Sequence, residues 1–202
     1  MSEEISDLLE SIRTSSSHDD VYYAAIKLRE LGNGNAIDPL LDRLERNQDP
    51  SWLRELLIEA LYCSFPQGGY STLKATDLLL KIFTSELEHQ DVRAVAGLAL
   101  GYVGDNQVVE TLIRTLESGN IDLSYACVTA LGNIGDPKAV DVLIKIIKTQ
   151  KFPLTQAAAE ALGKIGPLAT KAIPILQSLE RKGNETEKRY VLEAITKIRE
   201  QQ

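Results

Sequence analysis

The sequence predicts an all-α protein, a right-handed α-solenoid (α-α superhelix) of about six stacked helix pairs. The first observation is a repeat: the segments 100–105, 131–136 and 162–167 recur at intervals of 31 residues with the pattern Leu-Gly-x-(Val/Ile)-Gly-(Asp/Pro). The second is apolar residues at helical spacing, and the third is a glycine followed by Asp or Pro at the junctions. A fixed period of this length is the signature of stacked repeats.

The apolar spacing defines two amphipathic helices in each unit. Val92, Ala96 and Val103 fall on one face of the first helix, and Leu112 and Leu116 on one face of the next. A glycine that accepts positive φ ends one helix, and Asp or Pro begins the following one. Twelve helices are predicted, at 3–14, 19–31, 36–46, 50–64, 72–84, 91–103, 107–117, 122–134, 138–149, 154–165, 168–181 and 185–201.

These helices are expected to form a single repeat domain over residues 1–202. Short helix pairs cannot bury their apolar faces alone, so neighbouring pairs must share a continuous core. Seven alanines on the inner stripe allow the helices to approach closely. The helix pairs are placed at 3–31, 36–64, 72–103, 107–134, 138–165 and 168–201, and the alanines are Ala24, Ala96, Ala126, Ala130, Ala157, Ala158 and Ala161.

The regular repeat is broken by an insertion at 66–71. Because functional residues often lie in loops longer than the local norm, Gly68, Gly69 and Tyr70 are candidates for a flap over a binding groove. The alternative is a surface turn that simply tolerates extra residues. The sequence does not separate these two interpretations.

Composition limits the classes of function. The chain has 202 residues, of which 44% are hydrophobic and 25% charged, with a net charge of −7. That balance is unfavourable for binding a polyphosphate backbone, so no nucleic-acid partner is expected and glycosylase-like DNA binding is the weakest hypothesis. No apolar run is long enough to cross a membrane, and the N-terminus is acidic where a signal peptide would be basic, which predicts a cytoplasmic protein.

The repeat unit resembles the HEAT repeat, specifically the short HEAT-like repeat of the phycobilisome (E/F-type phycobilin) lyase type. The resemblance is carried by Asp91-Val92-Arg93, then Ala99 to Asp105, then Val108 to Ile113, and it covers nearly the whole chain. Ser124 and Thr155 stand where Arg93 does, which departs from the pattern. Proteins of this repeat class include phycobilin lyase subunits, phycobilisome assembly and degradation factors, and protein-binding scaffolds.

The resemblance implies that the second helix of each pair lines a concave groove. The outward column of these helices supplies tyrosines and aliphatic residues amid charged ones, a composition that suits protein contacts. The alternative is that neighbouring helices simply cover these side chains. The predicted partner-binding residues are Tyr22, Ile26, Arg29, Glu55, Ile58, Glu59, Tyr62, Leu98, Tyr102, Tyr125, Val128, Thr129, Gln156 and Glu160.

No catalytic or metal-binding residues are predicted. His18 and His89 are the only histidines, and each is interpreted as a solvated or capping residue of a turn. Cys127 occupies the inner column of Ala96 and is expected to be buried, whereas Cys63 could be partly exposed and transiently hold a bilin. Glu55 and Glu59, one helical turn apart, are most simply a solvated face.

Two functions remain open. The first is a non-catalytic scaffold or assembly factor that holds a partner protein in its groove and needs no cofactor. The second, implied by the resemblance, is a phycobilin lyase or chaperone subunit that positions a transiently bound linear tetrapyrrole against a phycobiliprotein. On this reading the partner is a phycobiliprotein or a second HEAT-like subunit.

Overall fold

The computed structural model describes residues 3–65, 73–103, 106–149 and 151–200, and these residues form helices joined by turns, with no strand among them. They fall into two compact units, Met1–Gly104 and Asp105–Gln202. The fold is an α-helical solenoid of the armadillo and HEAT kind.

The first unit contains six α-helices, which alternate between two layers. We call the second helix of each pair a B helix and the first an A helix. The B helix α4 packs between the B helices α2 and α6, and α1, α3 and α5 form the other layer. The helices are α1 (Glu3–Thr14), α2 (His18–Leu31), α3 (Ile37–Arg46), α4 (Ser51–Cys63), α5 (Leu73–Thr84) and α6 (Gln90–Val103).

Local capping explains where the helices of the first unit begin and end. The Ser17 hydroxyl accepts a hydrogen bond from the Asp20 amide at the start of α2. Gly32 ends α2 in the left-handed region with φ 56°, a conformation that glycine adopts without steric strain. Asn47 ends α3 in the same region with φ 53°.

A buried ion pair joins α3 to the residues that follow α1 and to the segment that precedes α4. Arg43 donates to both carboxylate oxygens of Asp49, at 2.8 and 2.7 Å, and to the Ser15 carbonyl at 2.7 Å. The Arg43 and Asp49 side chains are only 9% and 2% exposed. The planar guanidinium therefore satisfies a buried carboxylate and the carbonyl end of another helix at once.

Arginine caps the preceding A helix at two equivalent positions of the repeat. Arg54 of α4 donates to the Leu44 carbonyl at 3.2 Å, and Arg93 of α6 donates to the Phe83 carbonyl at 2.9 Å. Arg54 also forms a salt bridge with Glu88 at 2.6 Å. Side chains therefore satisfy backbone acceptors that the end of an α-helix leaves open.

The second unit repeats this arrangement. The B helix α10 packs between α8 and α12, and α7, α9 and α11 form the other layer. Asn120 caps α8, and Gly135 ends it with φ 77°. The helices are α7 (Val109–Glu117), α8 (Ile121–Ile134), α9 (Val140–Thr149), α10 (Leu154–Ile165), α11 (Ile173–Lys182) and α12 (Glu185–Glu200).

Glycine allows the three B helices of the second unit to approach one another closely. A Cβ placed on Gly132 would lie 2.7 Å from the Cα and Cβ of Ala161, and one on Gly163 would lie 3.1 Å from the Ala194 Cα. Real Cβ atoms do not approach backbone at 2.7 Å, so α8 and α10 could not keep their present separation with a larger residue at position 132.

We expect Gly132→Ala to lower the free energy of unfolding by about 1–3 kcal/mol. Alanine improves helix propensity by up to about 1 kcal/mol, but here the added methyl group forces α8 and α10 apart. Urea unfolding monitored by circular dichroism measures the change. Gly34→Ala is the matched control, because a Cβ there meets nothing closer than the Ser64 carbonyl at 3.8 Å. Equal stability of the two variants would contradict the close packing.

The helices predicted from the sequence are present, and the alanines of the inner stripe are all buried. The structure differs before four A helices, where short 3-10 turns lead into the α-helix at Gly34–Ala36, Asn106–Val108, Pro137–Ala139 and Gly166–Ala172. His18 begins α2 and does not lie in a turn, contrary to the prediction.

The prediction of one domain over residues 1–202 stays a prediction. The insertion at 66–71, with Gly68, Gly69 and Tyr70, lies outside the described residues. None of the helices described is both long and apolar enough to cross a bilayer.

Candidate partner-binding face

The outward side chains of α4 form a stripe along the first unit. Trp52, Glu55, Glu59 and Tyr62 follow one another at steps of three, four and three residues, which places them on one side of the helix. Because α2 and α6 flank α4, their outward residues extend this stripe on both sides. We call the resulting surface the B face; it comprises Tyr22, Ile26, Arg29, Trp52, Glu55, Glu59, Tyr62, Asp91, Leu98 and Tyr102.

Three aromatic rings meet at one end of the B face. The Trp52 ring lies 6.0 Å from that of Tyr22 and 6.3 Å from that of His18, both in edge-to-face geometry. Tyr22 and Trp52 nevertheless remain 46% and 49% exposed. Edge-to-face contacts hold the rings in place, so this end presents rigid aromatic area to an external ligand.

Two tyrosines stack at the other end of the B face. The Tyr62 and Tyr102 rings are parallel to within 8°, with centroids 4.7 Å apart. Tyr102 is 51% exposed, whereas Tyr62 is partly buried beneath it. Burial, followed by the nearby Glu59 carboxylate, raises the pKa of Tyr62 to about 12, so its hydroxyl stays neutral at physiological pH.

A salt bridge between Arg29 and Glu59 lies between these two ends and links α2 to α4. The Arg29 and Glu59 side chains are each just over a third exposed, so water screens the pair and it adds little to stability. Ile26 and Leu98 are partly exposed beside it. The centre of the B face thus mixes aliphatic surface with a charge pair that a partner can reach.

Glu55, His89 and Asp91 converge next to the aromatic end. One ligand-type atom of each lies within 4.8 Å of the other two. The Asp91 amide donates to His89 Nδ1 at 3.4 Å, which agrees with the expected capping role of this histidine. Burial raises the pKa of Glu55, the Asp91 carboxylate raises it further, and His89 opposes both effects. Glu55, which is partly buried, therefore lies close to the exposed carboxylate of Asp91.

Glu55→Gln should raise the stability of the protein at neutral pH. The pKa of Glu55 is higher in the folded chain than its ordinary value of 4.5. The protonated carboxyl therefore favours the folded state at low pH, and the ionised carboxylate opposes folding once the pH rises above the folded-state pKa. We therefore expect the variant to be more stable than the parent at pH 7, and the difference to shrink at pH 4. Urea unfolding at both pH values measures this.

Glu86→Gln is the matched control for this measurement, because Glu86 lies exposed in the turn before α6. It should leave stability unchanged at both pH values. A loss of stability in Glu55→Gln at pH 7 would show that ionised Glu55 makes a favourable contact within the chain.

The structure corrects two residues of the predicted groove. Ile58 and Val128 are completely buried, so the prediction that they line an open surface is wrong. Each lies one position from an outward residue, and one position rotates a side chain by about 100° around the helix axis. That rotation carries it toward a neighbouring B helix, because α4 and α8 both pack against helices in their layer.

The remaining predicted residues of the second unit lie at the surface of α8 and α10. Tyr125 is 52% exposed and Glu160 is exposed, while Thr129 and Gln156 are partly exposed. Gln156 donates to Glu160 at 2.8 Å along α10. Lys164 reaches across to Asn133 of α8 at 2.7 Å, so polar contacts occupy much of this surface.

An apolar cavity that the sequence analysis missed lies beside Tyr125. Its volume is about 510 Å³. At its rim the large side chains Ile121 and Phe152 are 81% and 69% exposed. Such exposure of large apolar side chains around one cavity is typical of contact sites. Its lining also includes Leu116, Ile146, Lys151, Pro153 and Leu154.

Neither cysteine resembles a reactive nucleophile. Cys127 is fully buried, as predicted, and burial raises its pKa to about 12. Cys63 is partly exposed, and burial raises its pKa despite the opposing effect of Arg29. A thiolate is the reactive form of cysteine, so a raised pKa disfavours covalent chemistry at either position.

The fold and this surface define the class of the protein: a helical repeat scaffold that presents one side of its B helices. The HEAT-repeat family model matches residues 76–163 and 115–196, which together span more than half of the chain. The chain belongs to the HEAT-repeat family. No curated protein matches it.

Solved structures of similar fold include two designed proteins. An engineered protein is 22% identical with a TM-score of 0.64, covering 98% of this chain and 97% of that one. A designed armadillo repeat protein in complex with the peptide (KR)4 is 15% identical with a TM-score of 0.64, covering 97% of this chain and 100% of that one. These similarities show the fold.

A phycocyanin lyase structure is more distant. The complex of CpcE and CpcF from Nostoc sp. PCC7120 is 22% identical with a TM-score of 0.48, covering 98% of this chain and 66% of that one. A similarity at that level does not distinguish a lyase from any other stack of helical repeats. The lyase type of repeat therefore stays a prediction from the sequence resemblance.

Proposed function

We propose that this protein is a non-catalytic scaffold that holds a segment of a partner protein along the B face. The observation that carries the proposal is the pairing of exposed, braced aromatic rings at both ends of that face, Tyr22 with Trp52 and Tyr62 with Tyr102. Rings already held in place lose little conformational freedom on binding, which is why Tyr and Trp dominate the energetics of interfaces.

Two further features support a protein ligand. The B face carries both hydrogen-bonding groups and aliphatic area, the mixture found in protein interfaces. A designed repeat protein of the same kind of fold holds a peptide, so a stack of this length is large enough to seat one. The cavity beside Tyr125 in the second unit offers a separate place for an apolar side chain of the partner.

Capture of the partner tests the proposal. The immobilised protein is exposed to a native extract of the organism that makes it, and the eluted proteins are identified by mass spectrometry. We expect the triple variant Tyr22→Ser, Trp52→Ser, Tyr102→Ser to retain less than a tenth of the partner that the parent retains. A visible spectrum of the eluate tests the lyase alternative, because a bound linear tetrapyrrole or phycobiliprotein is coloured.

The control variant replaces three exposed apolar side chains that lie elsewhere. Leu73, Leu87 and Leu168 are 64%, 100% and 61% exposed and lie outside the B face. Their triple replacement by Ser should leave capture unchanged. Circular dichroism and melting curves must show that both triple variants are folded. Equal capture by the two folded variants would place the partner elsewhere and refute the B face as its site.

A further inference from the structure

The aromatic end of the B face carries two carboxylates, Glu55 and Asp91, that form no salt bridge with a lysine or arginine among the described residues. The carboxylates of Glu55 and Asp91 approach within 4.8 Å of one another. The arginines of α2, α4 and α6 bind other groups: Arg29 pairs with Glu59, Arg54 with Glu88, and Arg93 donates to the Phe83 carbonyl. Among the residues that the structure describes, the basic group recorded against this pair is His89, whose Nδ1 lies 3.5 Å from the Asp91 carboxylate and forms an ion pair with it only when the imidazole is protonated.

An exposed indole lies beside these carboxylates. Trp52 precedes Glu55 by three residues on α4, so the two side chains are neighbours on one side of the helix. Tyr22 and His18 brace the Trp52 ring from α2. An aromatic face next to unpaired carboxylates is the combination that attracts a lysine or arginine side chain, since the ring quadrupole and the negative charge act in the same sense.

We propose that Trp52, Glu55 and Asp91 form a recognition site for one lysine or arginine side chain of an extended partner peptide. This inference rests on the proposed function and specifies the chemistry of the partner. Charge complementarity supports it, because the protein carries a net charge of −7 and these carboxylates lie next to the exposed Trp52.

The geometry also predicts a second anchor. Ten residues separate Trp52 from Tyr62 along α4, which corresponds to about 15 Å at 1.5 Å per residue. An extended peptide advances about 3.3 Å per residue. A peptide whose cation sits at Trp52 therefore places a side chain four or five residues away over the stacked Tyr62 and Tyr102, and an aliphatic or aromatic residue is expected there.

Selection of peptides tests the inference on the full chain. A display library of random 12-residue peptides is panned against the immobilised protein, and enriched peptides are synthesised for fluorescence anisotropy. We expect enriched sequences to share a Lys or Arg with an apolar residue four or five positions away. Replacing that Lys or Arg by Gln in the peptide should weaken binding at least tenfold, and so should Glu55→Gln in the protein.

A double-mutant cycle shows whether the two changes report one contact. The Gln peptide should bind Glu55→Gln about as well as it binds the parent, because the interaction is already absent. Glu86→Gln is the protein control and should bind the unmodified peptide as the parent does. Glu55→Gln is expected to remain folded, so weaker binding by this variant does not report unfolding.

Three outcomes would overturn the inference. In the first, the enriched peptides lack a Lys or Arg, or contain one whose contribution to binding does not change in Glu55→Gln, which would mean that the B face recognises other side chains. The scaffold function would stand in that case if binding of these peptides still depended on Tyr102. Calorimetric binding of Zn²⁺ that is lost in His89→Ala, without any peptide dependence on Glu55, would make the cluster a metal site. Enriched peptides indifferent to the whole triple variant of Tyr22, Trp52 and Tyr102 would contradict the proposed function as well.

Discussion

Arg43→Met is expected to lower the free energy of unfolding by about 3–5 kcal/mol. The substitution removes the guanidinium that donates to both oxygens of Asp49 and leaves that carboxylate buried, with its side chain 2% exposed. It also removes the hydrogen bond to the Ser15 carbonyl at the end of α1. Methionine keeps most of the side-chain volume, so the loss reports the uncompensated charge rather than a cavity.

Two further variants isolate this effect in urea unfolding. Arg46→Met removes an exposed arginine whose hydrogen bond is to the Arg13 carbonyl, and it should change stability by less than about 0.5 kcal/mol. The double variant Arg43→Met, Asp49→Leu removes both charges and should recover much of the loss. A double variant no more stable than Arg43→Met alone would show that the stranded carboxylate is not the cause.

Leu131→Ala is expected to lower the free energy of unfolding by about 2–5 kcal/mol. Leu131 is completely buried in α8, a B helix that packs against α10. The substitution removes buried apolar contacts and leaves a cavity that the packed core fills only in part. Thermal and urea unfolding give the magnitude.

Leu168→Ala is the control for this core substitution, since Leu168 is 61% exposed in the second unit. It should change stability by less than about 0.5 kcal/mol. Neither variant alters the B face of the first unit, so both should capture the partner as the parent does while folded. Similar losses of stability in the two variants would contradict the assignment of Leu131 to the core.

Periodicity was sufficient to predict the helices because each one repeats the same apolar spacing. The turn chemistry was equally readable: Gly135 has φ 77°, and Asp136 accepts from the Lys138 amide at 2.8 Å, as the Gly-Asp-Pro sequence predicts. The 3-10 turn at Pro137–Ala139 was not anticipated. Such a turn has nearly the same residue spacing as the first turn of an α-helix, so the apolar pattern does not reveal it.

The candidate site was only partly predictable, because the spacing of residues along one helix does not show which of its side chains the neighbouring helices cover. The predicted column placed Tyr22 and Tyr102 at the surface, where the structure has both about half exposed. It also included Tyr62, which is partly buried, and Ile58, which adjacent B helices bury completely. Trp52 is absent from the predicted groove residues, and His18 was predicted to lie in a turn. Their role in the B face depends on contacts between α2 and α4 that are distant along the chain.

Glu55 illustrates how such a site can be recognised from stability. Its carboxylate is held close to another carboxylate and partly away from water, an arrangement that opposes folding when both are ionised. Groups kept in unfavourable surroundings are concentrated at functional sites. The expected gain of stability and loss of peptide binding in Glu55→Gln are therefore two consequences of one arrangement.

Hydroxyl-radical footprinting of the captured complex tests the central claim most directly, because tryptophan and tyrosine side chains report their own exposure. We expect labelling of Trp52, Tyr22 and Tyr102 to fall at least severalfold when the partner is bound. Tyr23 is 59% exposed and lies about 100° further around α2, outside the B face, so its labelling should not change. If labelling of Trp52, Tyr22 and Tyr102 does not change while labelling of other residues falls on complex formation, the result would contradict binding through the B face.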